Sequence, residues 1–148
     1  MFLSTITEAA ASESRVWGEA VLPSHERQLV AVFSPLAPPR LALGIETVYE
    51  AYLMHYGSPR LFNAADSDDA VLLGDYLYAH GLVRIAEAGG VDAVAVLAEL
   101  ISRCAARRAD GAAGDGEEWV AAARALGGDP TDDEVALALA RHSDRVAT

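Results

Sequence analysis

The chain contains no lysine and only one cysteine. All 11 of its basic residues are arginine, against 22 acidic residues, for a formal net charge of −11. A surplus of that size repels the phosphates of nucleic acids and the anionic face of membranes, which argues against either as a main partner. A lone Cys104 cannot build an intramolecular disulfide framework, a usage expected of the reducing cytoplasm. The N-terminal MFLSTITEAAASESR has no basic segment followed by an apolar core and does not read as a signal peptide. No transmembrane segment is expected either, because the longest apolar run is interrupted by Asp75, His80 and Arg84. No run alternates with period two for long enough to suggest a sheet, and no internal repeat is visible.

What remains is a chain of 148 residues that is 52% hydrophobic, enough for one domain with a real core. Its punctuation is helical, and the expected fold class is all-α, a single-domain helical bundle over residues 1–148. A first helix is expected from about Leu3 to Val21, stopped by Pro23. A second, short helix is expected over SHERQLVAVF, capped by Ser24 and closed by Pro35. Leu41, Ile45, Val48 and Tyr52 share one helical face of a third helix that Gly57 ends. After a loop comes the helix AVLLGDYLYAHGLVRIAEAGG, ending at Gly89 and Gly90. At 3.6 residues per turn Asp75 shares a stripe with Leu72, Ala79, Leu82 and Ala86, so Asp75 is expected to face the core. The next helix, about Val91 to Arg108, sets Val94, Leu97, Ile101 and Cys104 on one side. A flexible loop is expected at 109–117, then a helix from about Glu117 to Leu126. A last helix is announced by the capping box Thr131 with Glu134.

Each chemical candidate has a plainer structural explanation. The carboxylates of DSDD suit Mg²⁺ or a diphosphate. Asp66 as an N-cap, with Asp68 and Asp69 in the first turn, is the better reading, because acidic groups there complement the helix dipole. His25, His55, His80 and His142 are scattered, with no Glu-x-x-His or His-x-x-x-His pair, so no metal site is expected. Cys104 on an apolar face reads as a small hydrophobe rather than a nucleophile. No Gly-rich loop opens a helix after a strand, so there is no nucleotide fingerprint. Arg103, Arg107 and Arg108 are the candidates for binding an anion, although their place at a helix C-terminus explains them as well.

The segment GSPRLFN followed by AVLLGDYLYAHGLVRIAEAG resembles part of the trans-isoprenyl diphosphate synthase family. In that family a Gly-x-Pro loop with a nearby Asn or His precedes an A-x-L-x-G-D-x-L helix. The matching positions are Gly57, Pro59 and Asn63, then Ala70, Leu72, Gly74, Asp75 and Leu77, with the small Ala79 one turn on. The following VLAELISRCAARRADG is similar to the family's next helix, and the resemblance spans roughly residues 57–108, about a third of the chain. It implies a bundle like part of the isoprenoid synthase fold, in which Gly74 admits a neighbouring helix. Asp75 would be structural there, bonded to a buried arginine or tyrosine or else protonated.

The family's DDxxD motifs are missing. Where the first would stand the chain reads IETVYEAYLMHY, with Glu46 and Glu50 as its only carboxylates, and DSDD falls after the loop with the wrong spacing. Ionising an allylic diphosphate requires metal ions, held by several carboxylates, to neutralise the leaving group. The resemblance therefore points to the short accessory subunit of heterodimeric heptaprenyl and hexaprenyl diphosphate synthases, which lacks DDxxD and helps set product length. No catalytic residues and no cofactor are expected in this chain alone, with Mg²⁺ confined to a catalytic partner subunit. Leu72, Tyr76, Leu82 and Val83 would contact that partner or a prenyl diphosphate. The alternatives are a degenerate synthase-like domain that binds a protein or a lipid without any synthase, and an unrelated small helical enzyme, for which the sequence offers no constellation beyond Glu46 with Glu50 and His55.

Overall fold

The structure is a computed structural model that describes residues 2–63 and 67–146. It is an all-α bundle of six helices: α1 (Ser4–Glu13), α2 (Arg15–Ala20), α3 (Ala42–Tyr56), α4 (Ser67–Ala109), α5 (Asp115–Ala125) and α6 (Asp132–Val146). Among the described residues the one β contact is an isolated antiparallel bridge between Val21 and Phe62. No helix among them is long and apolar enough to cross a membrane.

Helix α3 is the axis of the bundle. Every residue from Gly44 to Met54 is buried, polar ones included, so the helix presents no solvent face over three turns. One core, around Val48, Tyr49, Tyr52 and Leu53, joins it to the second half of α4, to α5 and to α6. Another, around Ala51, Met54, Leu73 and Leu77, joins it to α1 and the first half of α4. The closest approach is between α3 and α4, and glycines make it. A Cβ on Gly81 would lie 2.7 Å from Val48 Cγ2 and 3.1 Å from the Val48 backbone nitrogen; one on Gly44 would lie 2.6 Å from Ile85 Cδ1. The two backbones come together where each helix has a residue without a side chain.

Several sequence expectations change. The helix expected from Leu3 to Val21 is two, because Ser14 is extended (φ −155°, ψ 138°) and its side chain accepts a hydrogen bond from Val16 N. The helix expected over SHERQLVAVF is only a 3-10 turn at Ser24–Glu26. Beyond it the backbone pairs elsewhere: Gln28 N donates to Arg60 O, and Val32 N and Ser34 N donate to the Glu46 carboxylate. Those donors are unavailable to a helix, so a propensity for one is overridden. Helix α4 runs on to Ala109 but breaks at Gly90 (φ 76°, ψ −169°), where two helices were expected to meet. The expected loop at 109–117 holds the end of α4, a turn with Gly111 and Gly114 at positive φ, and the start of α5. Thr131 and Glu134 form the capping box, each side chain accepting from the other's backbone N–H. The N-cap expected at Asp66 lies outside the described residues.

The α3–α4 contact gives a direct test. Gly81→Ala should lower stability by about 1–3 kcal/mol, because the added methyl meets backbone as well as a side chain. The urea unfolding midpoint measures it, and an unchanged midpoint would mean that the helices are not in this contact.

Candidate functional site

Glu46 and Glu50, four residues apart on α3, project from a helix with no solvent face and must find their charge partner inside. That partner is Arg60, which follows Pro59 in the loop before α4. All three side chains are fully buried. Arg60 Nη1 donates to Glu46 Oε1 at 2.5 Å and to Val30 O at 2.8 Å, and its Nε donates to Glu50 Oε1 at 3.0 Å. Its Nη2 reaches Glu46 O, and the guanidinium lies 5.0 Å over the Tyr49 ring. Two carboxylates and one guanidinium leave one negative charge over, and four backbone N–H groups answer it. Val32 and Ser34 donate to Glu46 Oε2 at 3.1 and 2.8 Å; Arg60 and Leu61 donate to Glu50 Oε2 at 3.0 and 2.9 Å. Burial alone would favour the neutral guanidine, but Glu46 and Glu50 outweigh it and raise the Arg60 pKa above its ordinary value. Sequence reasoning found both glutamates and missed Arg60, although an i, i+4 carboxylate pair on an all-apolar helix demands a cation.

The residues that carry the resemblance take unexpected places. Asp75 does not face the core: its side chain is 66% exposed and its partner is His55, whose Nε2 lies 3.3 Å from Asp75 Oδ1. The expected arginine or tyrosine is not there. Gly74 is buried against that same histidine, for a Cβ on it would lie 2.7 Å from His55 Nε2. The inward stripe is Leu73, Leu77, Gly81 and Ile85. Both sides of this helix are apolar, and a periodicity that counts leucines cannot know that the glycine side is the one pressed on α3. Of the expected contact residues, Leu72 is 57% and Val83 51% exposed. Tyr76 is half-buried and stacks on His80 at 5.4 Å, while Leu82 turns inward and packs on the core.

The three arginines near the end of α4 do not form one cluster: two meet on Glu118 and the third turns away. Arg103 pairs with Glu99 and Glu118, and Arg107 with Glu118, so both already answer carboxylates. Arg108 turns the other way, its Nε donating to Asp115 Oδ2 at 2.9 Å and its Nη2 to Tyr52 Oη at 2.7 Å. Tyr52 in turn donates to Asp115 Oδ2. On the far side His142, from α6, has its Nδ1 2.8 Å from Tyr49 Oη and its Nε2 3.8 Å from Asp115 Oδ1. Of this network from four helices, Arg108, Asp115 and His142 line a cleft of about 580 Å³ between the start of α5 and the end of α6. Burial by itself would raise the Asp115 pKa; His142, Tyr52 and Arg108 outweigh it and hold the carboxyl well below the usual range. Burial pushes the Tyr49 and Tyr52 phenols up, and the buried Cys104 thiol up to about 12. Among the described residues, no three of His, Cys, Asp and Glu stand together as ligands for a metal ion.

No family model, curated protein or solved structure matches this chain.

Two predictions follow from the buried charges. Arg60→Met should destabilise the protein by about 3–5 kcal/mol in urea unfolding, since it strands two carboxylates in the core. Arg60→Lys should recover little, lacking the planar fork. For Asp115 the folded pKa is depressed, so its stabilisation is complete above the unfolded value. It is lost as pH falls from 3.8 towards the lower folded one. Unfolding measured across that range should show a loss in the native protein that Asp115→Asn lacks; parallel curves would contradict the network.

Proposed function

We propose that the chain is a non-catalytic accessory subunit of a heteromeric polyprenyl diphosphate synthase, pairing with a catalytic subunit that carries the DDxxD motifs and the Mg²⁺. The observation that carries this reading is the outer face of α4. Leu72, Tyr76, Ala79, Val83, Ala86 and Gly90 recur at alternating steps of four and three, the spacing of a seam between paired helices. Leu72, Ala79, Val83 and Ala86 are exposed, and Tyr76 is half-buried. Small residues at Ala79, Ala86 and Gly90 admit a helix from another subunit at close range. The exposed carboxylates Asp75 and Glu87 border the seam. With a net charge of −11 on each copy they disfavour self-pairing and suit a helix whose apolar ridge has basic edges.

Two further features support the reading. The motif Gly57, Pro59, Asn63 with Ala70, Leu72, Gly74, Asp75 and Leu77 resembles the synthase family. Glu46 and Glu50, the carboxylates standing where that family holds its first metal cluster, are committed to Arg60 and to backbone N–H groups. In this reading the partner carries out catalysis, and this subunit contributes to the surface that limits chain length.

The test is to capture the tagged protein from a lysate of the native organism, identify what is bound by mass spectrometry, and assay the eluate with isopentenyl and farnesyl diphosphates. A DDxxD-containing partner and prenyl transfer that neither chain performs alone are expected. Leu72→Glu or Val83→Glu should weaken that pairing roughly 30-fold or more, while stability stays within about 0.5 kcal/mol as for other surface changes. No synthase and an inactive eluate would overturn the reading in favour of a domain that binds another protein or a lipid.

A further inference from the structure

A groove of about 400 Å³ lies where α1, α2 and the loop after α2 meet, and two charges of opposite sign line it, Glu8 from α1 and Arg27 from the loop. Between them the lining is small or apolar, with Ala11, Gly18, Val21 and Leu22. The loop side is anchored, since Leu22 N donates to Leu61 O at 2.9 Å and Asn63 N to Ala20 O at 2.7 Å. Neither charge is answered. Glu8 is exposed and makes no hydrogen bond or ion pair among the described residues. Arg27 is half-buried, and its Nε donates to Leu22 O at 2.7 Å. That bond holds the guanidinium against its own loop and leaves both terminal nitrogens without a partner among the described residues. The two side chains do not pair with each other although they border the same groove. On α2 nearby, Arg15 and Glu19 do pair, at 3.0 Å. A carboxylate and a guanidinium kept apart across an apolar surface are the complement of a molecule that carries an ammonium at one end and a carboxylate at the other.

We propose that this groove binds a free α-amino acid with an apolar side chain, its carboxylate on the terminal nitrogens of Arg27 and its ammonium on Glu8. A simple anion would meet Glu8 and a simple cation would meet Arg27, whereas a zwitterion answers both. It also adds no net charge to a chain already at −11. The planar fork of Arg27 suits a carboxylate, and Ala11, Val21 and Leu22 offer apolar surface for the ligand's side chain. A groove of about 400 Å³ lies within the range of small-molecule sites. The groups invoked are open to solvent, Glu8 and Ala11 exposed and Arg27, Val21 and Leu22 half-buried. The inference is independent of the proposed partnership through α4.

The experiment is an NMR titration of the isotope-labelled full chain with L-leucine, L-methionine and L-phenylalanine, following the backbone amides of Gly18, Val21 and Leu22. At least one of the three should shift them saturably. The analogues of that amino acid lacking the amino group or lacking the carboxyl group should bind about tenfold more weakly or worse, each having lost its bonds to one charged side chain. Glu8→Gln should weaken the amino acid by a similar factor and leave the thermal midpoint in place, because the side chain is exposed and unbonded. Ala11→Leu, which obstructs the groove from an exposed position, should abolish the shift. If none of the three amino acids moves these amides, if either single-charge analogue binds as well as its parent, or if binding is unchanged in Glu8→Gln, the groove is not an amino-acid site.

Discussion

Arg60 is the residue on which the arrangement of the whole chain depends. Among the described residues it is the cation that answers Glu46 and Glu50, and it does so from a loop, holding Arg60 and Leu61 against α3. The leftover negative charge then recruits backbone donors from Val32 and Ser34, which fixes the path of the connection before α3. Taking such groups out of water is expensive, and only the complete set of bonds makes the burial tolerable. One charge cluster thus positions a loop, a connecting segment and the central helix together.

The second constraint is steric. Gly44 and Gly81 let α3 and α4 meet almost backbone to backbone, and that contact decides the rotation of α4 about its own axis. Once the glycine side faces inward, Leu72, Ala79 and Val83 must face outward, and Asp75 with them. The exposed seam is therefore a consequence of how the core packs. His55 follows from the same geometry, since the bare backbone at Gly74 gives the imidazole room to reach Asp75 from α3.

The cleft network shows how a polar site can be built without any local motif. Tyr49 and Tyr52 come from α3, Arg108 from the end of α4, Asp115 from the first turn of α5 and His142 from α6. The charges are balanced locally: Arg108 offsets Asp115, and the two phenols stay protonated. Within the network His142 Nε2 is buried without a hydrogen-bond partner among the described residues.

By itself the sequence determined the helical class, the third helix ending at Gly57, the break at Gly90, the capping box at Thr131 and Glu134, and the inward face of Leu97 and Cys104. These are local matters of periodicity, capping and backbone freedom, settled within a turn or two of chain. It also showed that Glu46 and Glu50 share a helix face, and that Leu72 and Val83 share another, three turns apart. Tertiary structure alone decided what those residues meet. Ser24–Phe33 gave up a helix because its amides pair elsewhere, Gln28 with Arg60 O and Val32 with Glu46, and Asp75 faced outward because glycines, invisible to a hydrophobic count, carried the contact. Arg60 with Glu46, and His142 with Asp115, meet across 14 and 27 residues of chain, and such pairs form only when separate segments have already packed.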